Sequence, residues 1–263
     1  MRGASFFISA ITVLAATAIL QQLGVLAAPT DPSPPVTIML NTTVSDPAEL
    51  LMEARATSNI EFVGFHGTNG ANANVYQAQA RRTGGGIPVP PAFNGADAEL
   101  GPGIYVTDDI TVAQFFAQSS ASANQNRGNT RDGANVPVIC AVTANSQNNW
   151  RTGIRKVWIP VGDIAQSVNG KNDPTRLARQ QARIQAVHGT TTNTVRFSVL
   201  NVHDPQNIGT GNQLVIPSGI QNQFSIRVCA PVSRSVSQLP AQLGHSAFPQ
   251  FNYQRNKPLW HIA

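Results

Sequence analysis

Strand-forming runs crowd the last third of this chain. Residues 195–200, 213–217 and 224–229 follow one another with no helical period between them. Earlier in the chain, β-branched and aromatic runs at 60–65, 103–107, 136–143 and 157–159 are interspersed with helical segments. One such segment covers 46–57 and has a capped start, with Asp46 at the N-cap, Pro47 at N1 and Glu49 at N3. A second covers 71–82. A third begins at Asp108 or Asp109 and carries Val112, Ala113, Phe115, Phe116 and Ala117; a fourth, over 173–187, buries Leu177, Ile184 and Val187. Helices that come early and strands that cluster late predict an α+β fold rather than a doubly wound parallel sheet. Gly, Pro, Ser and Asn mark 84–102 and 119–135 as loops.

The N-terminus reads as a leader. Arg2 is followed by an apolar run from Phe6 to Leu20, and Val25 and Ala27 suit the small-residue positions before a cleavage point. A secretory signal peptide over 1–27 is predicted, and with it an extracellular, secreted protein. In that oxidising route the two cysteines, Cys140 and Cys229, are expected to form one disulfide, the alternative being two buried thiols. Asn41 opens an Asn-Thr-Thr glycosylation sequon. Beyond the leader no apolar run is long enough to span a bilayer, so no membrane span is expected.

The 18 basic against 13 acidic residues give a formal charge of +5, but the basic residues are scattered rather than grouped with aromatics, which gives nucleic-acid binding no footing. No phosphate-binding glycine loop, nucleophile elbow or zinc-binding spacing is present, so no metal is expected. His203-Asp204 reads as a solvated loop pair.

One constellation carries chemistry. Phe62-Val63-Gly64-Phe65-His66-Gly67-Thr68 is followed, 39 positions after the His, by Tyr105 in Gly103-Ile104-Tyr105-Val106-Thr107-Asp108. Farther on comes Asn212-Gln213-Leu214-Val215-Ile216-Pro217, then Phe224-Ser225-Ile226-Arg227-Val228. In kind and order these segments resemble the motifs of the NAD-dependent ADP-ribosyltransferases of the His-Tyr-Glu group, the diphtheria toxin, exotoxin A and PARP-like enzymes. In the toxins of that group a second aromatic follows the Tyr by 11 residues, and Phe116 stands there.

The resemblance implies a split β-sheet core with flanking helices over 58–232, preceded by a lead-in and helix over 28–57 and followed by a tail over 233–263. It implies NAD as the substrate, an unidentified protein target and a monomer. His66 would donate from a ring nitrogen to the adenosine-side ribose. Gly67, with Thr68 beside it, would let the backbone approach the nicotinamide carboxamide. Tyr105 and Phe116 would sandwich the nicotinamide, each contact contributing ~0.5–1.5 kcal/mol beyond area burial.

The sequence departs from the family at its acidic position, which here is Gln213. No glutamate occurs after Glu99. A neutral amide can still bond the ribose 2′-hydroxyl but lacks the charge that stabilises an oxocarbenium-like centre, a loss of roughly 10²–10³ in rate. Two functions are therefore expected: mono-ADP-ribosylation or NAD glycohydrolysis, with His66, Tyr105 and Gln213 as its residues, or an attenuated binding module on the same scaffold. A structural secreted protein unrelated to NAD is the third.

Overall fold

A computed structural model describes residues 59–82, 86–88, 100–164, 167–168, 171–200, 211–232 and 251–263. The leader, Asn41, the helix expected over 46–57 and the His203-Asp204 pair lie outside them.

The chain runs β1 (Glu61–Asn69), α1 (Gly70–Ala80), β2 (Ile104–Thr107), α2 (Ile110–Asn126), β3 (Pro137–Ala144) and a π-helical turn (Asn149–Gly153). It continues through β4 (Arg155–Trp158), a small ladder of β5 (Ser167–Val168) and β6 (Lys171–Asn172), and α3 (Pro174–Ala186). Strands β7 (Thr194–Val199), β8 (Asn212–Ile216) and β9 (Phe224–Pro231) follow, and α4 (Tyr253–Trp260) closes the order. Seven strands form one mixed sheet in the order β4-β7-β8-β2-β1-β3-β9. Every neighbouring pair is antiparallel except β4 and β7. The protein is thus a mixed α and β structure, in keeping with the α+β expectation.

The sheet is waisted at its middle. Strand β1 pairs with β3 along its whole length, from Glu61 opposite Ala144 to Asn69 opposite Pro137, but meets β2 only through Phe65 opposite Thr107. One face carries a core of Val63, Val106, Leu214 and Phe197, covered by Tyr76 of α1 and by Tyr253 and Trp260 of α4. The other face holds two clusters. Ala113 and Ala117 of α2 pack on Phe65, Ile139 and Ala141 over the β1–β3 half; Ile184 of α3 packs with Val157, Ile159 and Val215 over the β4–β8 half.

Close approach of α2 is a local consequence of sequence. A Cβ on Gly67 would fall 2.7 Å from the Ala117 nitrogen and closer still to the Ala113 carbonyl, so only glycine on the strand and alanines on the helix permit this spacing. Asp109 is the N-cap, accepting from the Thr111 amide at 2.7 Å. The helix runs on to Asn126, well into the stretch expected as a loop. Ser and Asn there imitate loop composition, but Ala113, Ala117 and Ala121 recur every four residues and are all buried, and that stripe decides the outcome.

Cys140 and Cys229 stand directly opposite each other on β3 and β9 and are joined as a disulfide. At the chain's end, α4 buries Tyr253 and Trp260. The Trp260 indole donates to Glu61 at 2.9 Å, and Arg151 grips the same carboxylate through two bonds of 2.7 and 3.1 Å. Tyr253 and Trp260 are therefore core residues, a role that the polar composition of the segment conceals. Among the described residues no helix is long and apolar enough to cross a membrane.

Candidate functional site

The three motif segments lie side by side as β8-β2-β1, at the waist of the sheet. Thr107 stands opposite Phe65 on one side and Gln213 on the other; Tyr105 stands opposite Val215. Strand alternation then puts Tyr105, Thr107 and Gln213 on one face, with Tyr105 and Gln213 diagonal neighbours about 7–8 Å apart. Gln213 is buried, and its amide donates to the Val199 carbonyl at 3.5 Å. The Tyr105 hydroxyl donates to the Gly101 carbonyl at 2.9 Å and accepts from the Leu100 amide at 3.0 Å, so the loop before β2 folds back and holds the phenol by its tip.

His66 bridges the waist. Its Nδ1 lies 2.7 Å from the Tyr105 carbonyl oxygen, just past the point where β1 and β2 stop pairing. A carbonyl can only accept, so Nδ1 carries the hydrogen and Nε2 is left as a bare lone pair. That nitrogen is buried and has no partner. Burial lowers the imidazole's pKa, with the bond to Tyr105 pulling the other way. The ring is therefore neutral and offers a hydrogen-bond acceptor. This revises the sequence-based expectation: His66 can receive a hydroxyl's proton but has no donor left to give. The Tyr76 ring packs edge-on against it, with centroids 5.6 Å apart, and burial pushes that phenol up to about 12.

By the same alternation His66, opposite Cys140 and against Tyr76, lies on the face of the Val63 core, while Tyr105, Thr107 and Gln213 lie on the other, so the imidazole and the tyrosine meet through the Tyr105 carbonyl at the waist. The remaining predicted residues lie on β1 and α2. Gly67 faces the backbone of α2, which by itself accounts for the glycine. Thr68 is buried and accepts from the Asn72 side chain at 3.3 Å, tied to the first turn of α1. Phe116 is half-buried on α2, in T-shaped contact with Phe115 at 5.7 Å. Val112, one turn earlier on the same flank, lies against Gly211 at the entry to β8.

Two side chains of this region escaped the sequence reading. Arg196 on β7 stands opposite Val215, in line with Tyr105 across three strands, and is only 1% exposed. It donates to the carbonyls of Thr191 (2.5 Å) and Pro102 (2.9 Å), while its Nε has no partner. Burial pulls its pKa down to about 10, with Tyr105 acting in the opposite sense. A charged residue at an alternate position of the apolar run Thr194-Val195-Arg196-Phe197 was the available signal.

Asp108, between β2 and α2, is buried. It accepts from the backbone and side-chain amides of Asn212, each at 2.7 Å, and from the Tyr253 amide at 2.9 Å. Burial raises its pKa against the pull of those donors. Asp108 ties the end of β2, the start of β8 and the start of α4 into one junction.

Among the described residues no group of three or more His, Cys, Asp or Glu is placed to hold a metal ion. A groove of about 290 Å³ lies elsewhere, along β4 and α3, between Trp158, Arg183, Val187 and Lys257. Its lining includes none of the motif residues, and the chemistry of the waist makes it the better candidate site.

Residues 98–262 match a family described as a family of unknown function (DUF5910), and the chain belongs to that family. The matched span holds Tyr105, Phe116, Arg196, Gln213 and α4, and begins after His66. No curated protein matches the chain.

Proposed function

We propose that the chain is an NAD-binding protein of the ADP-ribosyltransferase type, with the dinucleotide seated at the waist between β1 and β2 and against the face of β2 and β8. The observation that carries the reading is the union of three motifs scattered over the sequence. His66, Tyr105 and Gln213 sit on adjacent strands, and the imidazole is bonded to the backbone of the tyrosine. The waist supports the split-sheet form of the fold that the resemblance implies.

In this reading the unpartnered Nε2 of His66 accepts from a ribose hydroxyl. The Tyr105 ring, fixed at its hydroxyl, forms one wall for the nicotinamide, and Phe116 on α2 forms the other. Gln213 bonds the 2′-hydroxyl of the nicotinamide ribose. Cleavage breaks the bond between nicotinamide and ribose C1′; the ribose is captured by water or by an acceptor side chain on a protein target. The cross-strand disulfide supports a secreted protein working in an oxidising compartment.

The neutral Gln213 favours a second reading, an attenuated binding module. Its amide is buried and bonded to the Val199 carbonyl, and Asp108, the carboxylate bonded to the adjoining Asn212, is occupied by three donors. Incubation of the purified protein with NAD and measurement of released nicotinamide separates the two. If the wild type turns over, it is an enzyme. If only Gln213→Glu does so, with a gain of about 10²–10³, the native chain is the binding module. Absence of NAD binding in both variants contradicts both readings.

A further inference from the structure

We infer that Arg196 is a positioning residue for Tyr105, acting through the loop at 100–102. The inference rests on the proposal that Tyr105 is a wall of the nicotinamide site.

Arg196 is poorly explained as a device for stability. It lies beside an apolar cluster of Leu100, Val157, Ile159, Ile184 and Val215; among the described residues no carboxylate pairs with it, and one of its donors is unused. Buried charges of this kind can be exchanged for apolar side chains of similar size at little cost, and often with a gain in stability. What Arg196 does supply is reach and two fixed bonds. Nη2 holds the Pro102 carbonyl while Nη1 holds that of Thr191, joining the turn before β7 to the loop before β2.

That loop is the one that grips the phenol. The Gly101 carbonyl and the Leu100 amide are the two partners of the Tyr105 hydroxyl, and Pro102 follows them directly. Gly101 sits at φ +88°, in the region that favours glycine, so the turn is made by the residue least able to hold itself in place. A Cβ there would lie 3.8 Å from the arginine's Nη2, which shows how closely the guanidinium backs the turn. Arg196 stands two strands from Tyr105, with Val215 between them, so it has no need to touch the dinucleotide. It fixes the frame in which the ring is held.

Four proteins test this: wild type, Arg196→Met, Tyr105→Phe and the double variant. Arg196→Met should fold, with a urea midpoint equal to or above that of the wild type. Hydrogen exchange at the Leu100 amide should rise at least about tenfold in Arg196→Met, and NAD affinity should fall by roughly tenfold, the worth of one lost charge-assisted bond. Tyr105→Phe removes the gripped hydroxyl, so adding Arg196→Met to it should cost little more, a non-additivity that a general structural role would not produce.

Unchanged Leu100 exchange in Arg196→Met overturns the inference, as does faster exchange with NAD affinity intact, or strict additivity in the double variant. Should Arg196→Met fail to fold, Arg196→Lys, which keeps one bond, is measured in its place and should fall between wild type and Tyr105→Phe. A wild type that binds no NAD overturns the functional reading itself, a result distinguishable from wild-type binding that Arg196→Met leaves unchanged.

Discussion

His66 offers a sharp test because its protonation state follows from geometry. The Tyr105 carbonyl fixes the hydrogen on Nδ1, and burial opposes a second proton on Nε2. The imidazole's pKa is therefore below its ordinary value in the folded chain. In the unfolded chain it returns to about 6.5. A lowered histidine contributes stability that is complete above the unfolded value and is lost as pH falls, because the unfolded chain takes up a proton that the folded chain refuses. If the folded ring stays neutral throughout, acidification from pH 7.5 to 5.5 costs about 1.4 kcal/mol from this residue alone. Tyr76, the ring beside it, is pushed up to about 12 and does not titrate in this range.

The perturbation is His66→Phe, which keeps a flat ring and removes both nitrogens. Urea unfolding followed by tryptophan fluorescence at the two pH values gives a stability difference between wild type and variant. The carboxylates common to both proteins cancel in it. The difference should move against the wild type on acidification, by no more than about 1.4 kcal/mol, the limit for a folded ring that never protonates. The reasoning is refuted if the difference is the same at both pH values, since His66 would then titrate alike in the folded and unfolded chains. In the same variant, loss of the acceptor on Nε2 should weaken NAD binding by a factor of about 2–12, the worth of one neutral hydrogen bond.

Two further outcomes are expected from the surrounding frame. Asp108→Ala leaves both amides of Asn212 and the amide of Tyr253 without their acceptor, and should cost about 3 kcal/mol or more in urea unfolding. Because burial raises the pKa of Asp108, its contribution is greatest at low pH and lost as pH rises through the folded value. The gap between wild type and variant should accordingly narrow with rising pH, and a widening gap would contradict the assignment. Replacing both Cys140 and Cys229 by alanine opens a loop of 89 residues and should lower stability by about 4–5 kcal/mol in the chain-entropy model, read as a fall in the urea midpoint.

Much of the frame was legible because it is local. The N-caps at Asp109 and Asp173, Pro174 at the first turn of α3, and the β-branched runs of β1, β3, β7, β8 and β9 each declare themselves within a few residues. What the sequence concealed depends on contacts far apart in the chain. The far end of α2 is held by buried alanines, and α4 by Tyr253 and Trp260, seven positions apart with Pro258 between them. Arg196 became meaningful only when Pro102, 94 residues earlier, was placed beside it. The motif residues were legible as a set, but the role of His66 was not. Whether an imidazole donates or accepts depends on its other nitrogen, and the Tyr105 carbonyl that settles this lies 39 residues away.

The most direct test of the site is a calorimetric titration of the purified protein with NAD, with nicotinamide added as a competitor. The proposed seating of NAD at the waist predicts saturable one-to-one binding that nicotinamide weakens and that Tyr105→Ala abolishes. Absence of binding heat at millimolar NAD, or binding that Tyr105→Ala leaves intact, would contradict it.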